Sequence, residues 1–467
     1  LLLGFQPWIP FKILIVVCST AAIVLSYYWM RRKLRPELAV GVALLMALSP
    51  GVLGLSHWEL SDVPFWAFTS AALLAWERLS PTNTRRLAVA IVLTMLAYFT
   101  RSAGLPLLVA AGLWLSWKRR WRQLAIFALG AAPLLLLWWW RARTQGGVDY
   151  VQQFWWVNPY APELGNIDAV GLVKRALANS KDYLTTHLPV LLMGRAGKAG
   201  TVLASLVIGL AVFGWIRRLR HAQVSELFLP LYLGLLLVWP AVWSGERFLV
   251  PALPLILFYA AEALQRVVRK AVPTRARAVS LASAAAILLL ALPALVENIR
   301  WGRACSRLYS QGDRYACLDS GSKDLLGISE LAGLALPDSA VILSRKPRLV
   351  WAASGGRPGR NYPMSPEPDS LFKTARETGA QYVILDRVDR LSQVYLMPAI
   401  MRRPDAFCIL YSLGPARSAI LAIRPTAITT SPLAPLPDSA RVQFQICGPE
   451  YWRSPEVMES VLRGRAR

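Results

Sequence analysis

The residues best placed to do chemistry lie in one short stretch, Ser56-His57-Trp58-Glu59-Leu60-Ser61-Asp62-Val63-Pro64-Phe65. It carries an imidazole and two carboxylates, no Lys or Arg, and is set between two long apolar runs, 38–55 and 63–76. An acid at membrane depth costs roughly 2.5–3.5 kcal/mol on insertion scales. Glu59 and Asp62 therefore persist because they are paired, solvated or used. Two other turns carry arginines: Thr100-Arg101-Ser102-Ala103 and Ser244-Gly245-Glu246-Arg247. Together these groups suit the transfer of a group away from a lipid phosphate. An Arg fork holds a phosphate bidentately and stabilises it as it leaves. A carboxylate takes the proton from an attacking hydroxyl or amine, help worth roughly 10²–10⁴ in rate. Asp62 and Glu59 are the catalytic candidates. Arg101, Arg247, Glu246 and His57 are the candidates for holding substrate.

Each residue also has a plainer reading. Asp62 suits the cap of the helix that follows it, and Glu59 suits a solvated turn. Arg101 and Arg247 suit snorkelling to lipid headgroups. Glu246 beside Arg247 suits a simple ion pair. His57 between acids leaves a divalent metal open, although a lone His is a weak ligand set. No dinucleotide, phosphate-loop, CxxC or Ser/His/Asp pattern stands out, and no cofactor is expected.

The elements that must position these groups are membrane spans. The chain has 467 residues, 55% of them hydrophobic, and a mean hydropathy of +0.40. Its apolar residues come in blocks, the signature of a bilayer solvent. Ten runs are candidate spans: 12–29, 38–55, 63–76, 87–99, 104–117, 124–140, 201–216, 226–243, 248–264 and 278–296. The net charge is +25, but the basic residues cluster in alternate loops. Arg31 to Arg35, Arg78 to Arg86, Lys118 to Arg122, Arg217 to Arg220 and Arg266 to Arg277 all mark the cytoplasmic side. The three acid-and-Arg turns then share the outer side, and both termini lie outside. Base-stacking aromatics along a basic groove are not evident, so nucleic acid is not an expected partner.

The long outer loop 141–200 contains a segment, 167–183, with apolar residues at helical spacing, read as a helix on the membrane surface. Beyond residue 298 the apolar blocks shorten. Runs 340–343, 381–385, 406–413 and 419–423 read as buried strands, with a helix over 371–377 that Gly379 ends. The domain reading is therefore a transmembrane domain over 1–298, an extracytoplasmic α/β domain over 299–424, and a linker and tail over 425–467. Cys305, Cys317, Cys408 and Cys447 all follow the last span; an oxidising compartment permits three pairings of them.

Three motifs resemble one family. Leu48-Ser49-Pro50, Ser56 and Ser61-Asp62-Val63-Pro64-Phe65 resemble the second outer-loop region of GT-C membrane glycosyltransferases. The nearest branches are the protein O-mannosyltransferases (glycosyltransferase family 39) and the aminoarabinose transferases. Tyr98-Phe99-Thr100-Arg101-Ser102-Ala103-Gly104-Leu105 is similar to their next outer turn. Gly245-Glu246-Arg247-Phe248-Leu249-Val250-Pro251-Ala252-Leu253-Pro254 is similar to their late RY-x-x-P-x-x-P hairpin, with Phe248 where the pattern has Tyr. Asn158-Pro159-Tyr160 in the long loop and the α/β domain fit bacterial members.

The resemblance implies an α-helical polytopic membrane protein, about ten transmembrane helices with the small α/β domain outside, in the plasma (inner) membrane. It implies inverting transfer of a sugar from a polyprenyl-phosphate donor to a lipid, glycan or protein acceptor on the extracytoplasmic face. It makes Asp62 the second acidic position and places Arg247 by the donor phosphate. In that family the principal acid lies in an outer loop before the span that opens this chain. Leu1 already sits outside, so the sequence is expected to be truncated at its N-terminus. Two other classes remain open: a transporter or lipid flippase, which predicts broken helices in matching halves, and a non-catalytic membrane scaffold.

Overall fold

The computed structural model describes residues 8–56, 58, 60–80, 82–144, 150–271, 273–414, 417–429 and 444–464. His57 and Glu59 lie outside the described residues. The chain divides into two units. The larger, helical unit comprises residues 8–159 and 163–303. The smaller takes the chain from Ala304 onward, together with the short loop segment Tyr160–Pro162.

The helical unit begins with α1 (Trp8–Met30), α2 (Pro36–Leu48), α3 (Pro50–Leu55), α4 (Asp62–Glu77), α5 (Thr84–Thr100), α6 (Leu105–Trp117) and α7 (Trp121–Thr144). After the short α8 (Tyr150–Trp155) come α9 (Ala169–Asp182), α10 (Leu188–Met193), α11 (Lys198–Arg218), α12 (Val224–Val238), α13 (Glu246–Leu249), α14 (Leu253–Ala271) and α15 (Ala276–Ser310). Among the described residues, four helices are long and apolar enough to cross a membrane: Pro10–Met30, Trp121–Arg141, Lys198–His221 and Arg277–Ser310. Three more, Pro36–Leu48, Ser102–Trp117 and Val224–Val238, are apolar but shorter. The ten expected runs thus yield fewer full-length apolar helices. The run over 38–55 is split because Ser49 is extended and its hydroxyl caps α3, which opens on Pro50. The run over 226–243 stops at Val238, two residues before Pro240.

One buried core joins α1, α4, α5, α6, α12 and α14. α4 is its centre: Phe65, Trp66, Leu73 and Trp76 are all buried. α11 and α14 approach closely, so that a Cβ on Gly214 would stand 2.2 Å from the Tyr259 carbonyl oxygen. At the end of these helices away from Asp62, the charges are buried but paired. Arg218 reaches Glu226 at 3.0 Å and Glu262 at 3.4 Å; Arg266 meets Glu262 at 2.5 Å; Lys33 meets Glu77 at 2.8 Å. The Tyr259 hydroxyl donates to Glu226 at 3.0 Å. Removing a partner from such a set strands a charge, so it specifies how these ends meet.

α9 falls within the segment 167–183 expected to be helical, and Asp168 caps it through the Gly171 amide at 2.7 Å. Its apolar residues Val170, Val173 and Leu177 face outward. Its polar face points in. Arg175 donates to the carbonyls of Phe154 at 2.9 Å and Trp156 at 2.5 Å. Asn179 donates to those of Leu237 and Trp239, each at 2.8 Å. The last carbonyls of a helix have no intrahelical donors, and Asn179 supplies them for α12.

The smaller unit is a six-stranded sheet flanked by helices. Its strands are β1 (Ile342–Leu343), β2 (Gly359–Arg360), β3 (Tyr382–Leu385), β4 (Phe407–Ser412), β5 (Ala419–Ile423) and β6 (Gln445–Ile446), in the order β2-β1-β3-β5-β4-β6. The first three are parallel; β3, β5 and β4 are antiparallel. The helices are α16 (Ser320–Ala335), α17 (Pro347–Ala353), α18 (Pro368–Thr378), α19 (Met397–Arg402), α20 (Pro425–Thr429) and α21 (Pro455–Gly464). α18 spans the expected helix, and Gly379 at φ 68° ends it in the left-handed conformation that glycine adopts freely. Disulfides join Cys305 to Cys317 and Cys408 to Cys447; Cys18 is free. The sequence reading set 425–467 apart as linker and tail. β6 pairs with β4 and α21 packs on α16, so the described part of that segment belongs to the sheet unit.

Candidate active site

Asp62 is the first residue of α4, and its helix begins without a side-chain cap from Ser61. The Asp62 carboxylate instead forms an ion pair at 2.6 Å with Arg101, at the end of α5. The pairing follows from connectivity. α4 begins and α5 ends at the same side, and the two helices pack along their lengths. Asp62 is 2% exposed, so the charge is removed from solvent and held by a specific partner. Arg101 also reaches the Ser61 hydroxyl at 3.5 Å.

The late hairpin arrives at the same place. Phe248 lies in α13, and its ring receives both arginines: the Arg101 guanidinium carbon is 5.0 Å from the ring centroid and that of Arg247 is 4.7 Å. Cation–π contacts of this kind contribute about 0.5–1 kcal/mol at exposed sites and more when desolvated. Arg247 is near enough to Asp62 for its charge to act on that carboxylate. α12 fixes the hairpin from behind, through a 2.7 Å hydrogen bond from the buried Tyr232 hydroxyl to the Phe248 carbonyl. Asp62, Arg101 and Arg247, drawn from three separate turns, therefore meet at one end of the bundle.

Glu246 is in the same hairpin, but its ion-pair partner is not the neighbouring Arg247. His187 holds it, with Nδ1 at 3.4 Å from a carboxylate oxygen. His187 ends a single π-helical turn, Tyr183–His187, between α9 and α10. π turns inside helices occur frequently at functional sites. This one packs on α13, with Tyr183 bonded to the Gly245 backbone. Burial pushes the Tyr183 phenol up to about 12, so it stays protonated. The His187 imidazole, against the effect of burial, holds the Glu246 carboxyl below its ordinary range.

His187, Tyr183 and Tyr232 were not singled out in the sequence, and Phe248 only as the position where the hairpin pattern has Tyr. The available signal was thin: His187 is one of three histidines, and nothing in its neighbourhood points to the distant Glu246. Among the described residues, no three His, Cys, Asp or Glu side chains gather in a geometry that holds a metal ion; His57 falls outside that set.

No family model matches the chain, and no curated protein matches it. Among solved structures, the chain is similar to ArnT from Cupriavidus metallidurans in two states. The apo form shares 12% identity with a TM-score of 0.46. The form bound to undecaprenyl phosphate shares 14% with a TM-score of 0.47. Each alignment covers 89% of this chain and 84% of ArnT. The chain is also similar to the arabinofuranosyltransferase AftD from Mycobacteria, at 16% identity and a TM-score of 0.35, over 87% of this chain and 33% of AftD.

Proposed function

We propose that this chain is an integral membrane glycosyltransferase that moves a sugar from a polyprenyl-phosphate donor to a lipid, glycan or protein acceptor on the extracytoplasmic face, with inversion. The carrying observation is the charge set at the head of α4. Two guanidiniums lie within 5.0 Å of one ring centroid; Arg101 is paired with the buried Asp62 carboxylate, and Arg247 acts on it at longer range. A phosphate placed beside that ring would be within reach of both guanidinium forks. Arg101 has five N–H donors and uses part of them on Asp62, so the remainder are free to take a phosphate oxygen. An Arg-lined site at a headgroup-depth turn suits a phosphate that stays anchored to lipid.

In this reading the acceptor oxygen or nitrogen forms a bond to the sugar's anomeric carbon. The bond from that carbon to the phosphate oxygen breaks, and its electron pair leaves with the phosphate. Arg101 and Arg247 take up the charge that develops there. The acceptor proton passes to a carboxylate, for which Asp62 and Glu59 are the candidates, with inversion following from attack opposite the leaving group. Asp62 also positions Arg101. Undecaprenyl phosphate is what one of the ArnT structures holds; here the polyprenyl phosphate is proposed from the chemistry of the site itself.

In vitro transfer from a polyprenyl-phosphate sugar tests the reading, with Asp62→Asn and Arg247→Ala compared to wild type. Loss of one preorganised charge-stabilising donor costs about 10²–10³ in kcat. Undiminished turnover in both variants would remove this site from the reaction.

A further inference from the structure

The Glu246–His187 pair stands beside the charge set but has no part in holding the phosphate. Glu246 immediately precedes Arg247, and its side chain is 40% exposed. His187 is 15% exposed and comes from a different part of the chain. A carboxylate repels a phosphate, so a ligand that brings Arg247 its anion must offer Glu246 something else. The group bonded directly to the donor phosphate is the sugar, and a carboxylate accepts hydrogen bonds from sugar hydroxyls. The flexible side chain of a half-exposed glutamate reads hydroxyls with little selectivity unless something fixes its plane. His187 supplies that restraint, and the π turn locks His187 in place by seating Tyr183 against Gly245.

We propose that Glu246 reads the donor's sugar and that His187 is its positioning residue, so that this pair sets the preference for the glycosylated over the bare polyprenyl phosphate. This rests on the glycosyltransferase reading above. It adds a sugar subsite, on α13 and the π turn, to the phosphate subsite on α4, α5 and α13. The two subsites share only the hairpin in which Glu246 and Arg247 are neighbours.

Binding separates the two. The full-length protein in detergent is titrated calorimetrically with undecaprenyl phosphate, and with the same lipid phosphate carrying a pentose (arabinose) or a hexose (mannose). Wild type binds at least one glycosylated lipid more tightly than the bare one. His187→Ala and Glu246→Gln each reduce that margin by about tenfold or more, the scale of a lost hydrogen bond to a charged group; His187→Ala leaves bare-lipid affinity unchanged, and Glu246→Gln does not lower it, because removing a carboxylate beside Arg247 relieves repulsion of the phosphate. His187→Gln, which keeps a donor, recovers much of the margin. The double variant His187→Ala/Glu246→Gln loses no more than either single change, because the two residues act as one unit.

Three results overturn the proposal: a wild type with no preference for either sugar, variants that keep the margin, or variants that weaken all three lipids alike. The last marks a role in holding the hairpin. A wild type that binds no undecaprenyl phosphate sinks the glycosyltransferase reading itself, a result distinct from the other three.

Discussion

Replacing Arg101 with Met strands Asp62. The pair distance is 2.6 Å, and Asp62 is 2% exposed, so water cannot take the guanidinium's place. Breaking a buried pair from one side costs about 3–5 kcal/mol. Two features bring the expectation to the lower end, about 3 kcal/mol. Arg247 remains close enough to act on the carboxylate, and a stranded carboxyl relieves part of the cost by taking a proton. Asp62→Asn in the same background removes the stranded charge, so the double variant is more stable than Arg101→Met alone. The assay is thermal unfolding of the detergent-solubilised protein, run as a double-mutant cycle. The coupling expected between the two positions is about 1–3 kcal/mol. Additive effects within about 0.5 kcal/mol would refute the claim that these side chains form one buried unit.

Three further outcomes follow from the same coordinates. Glu226→Gln, at the opposite helix ends, leaves Arg218 with Glu262 as its charged partner and costs about 1–3 kcal/mol in unfolding, while KM for the donor is unchanged because the residue is remote from α13. Cys408→Ser opens the disulfide that closes a sequence separation of 39 residues and lowers unfolding stability by about 2–4 kcal/mol, measured against wild type with and without reductant. The third concerns pH. His187 keeps the Glu246 carboxyl below its ordinary value, so its stabilising contribution is complete above the unfolded value of about 4.3 and is lost as pH falls through the lowered folded value. Glu246→Gln therefore flattens the acid limb of a melting-temperature profile below about pH 4; an unchanged limb would contradict the pairing.

How much was legible in the sequence depended on how local the signal was. β1, β3, β4 and β5 were readable because each lies in a short continuous apolar run, as at Tyr382–Leu385 and Ala419–Ile423. β2 and β6 are two residues each, Gly359–Arg360 and Gln445–Ile446, and neither lies in an apolar run that would mark it. α9 was readable from its period, but its orientation was not. Nothing local shows that the open carbonyls near Trp156 and at the end of α12 draw Arg175 and Asn179 inward. Asp62, Arg101 and Arg247 were readable because charge inside an apolar hairpin is costly and so stands out. Their convergence required only that α4 begins where α5 ends and where α13 lies. The partner of Glu246 was not readable, since adjacency favoured Arg247 and only the fold brings His187 to it.

The central claim is that Arg101 and Arg247 hold one phosphate between them. The most direct measurement is the position of the phosphorus atom in a cryo-EM reconstruction of the full-length protein with undecaprenyl phosphate. The account predicts phosphate oxygens at about 2.7–2.9 Å from both guanidiniums, above the Phe248 ring and beside an Asp62 still in contact with Arg101. A phosphate bound away from both arginines, with the Asp62–Arg101 pair undisturbed, would contradict it.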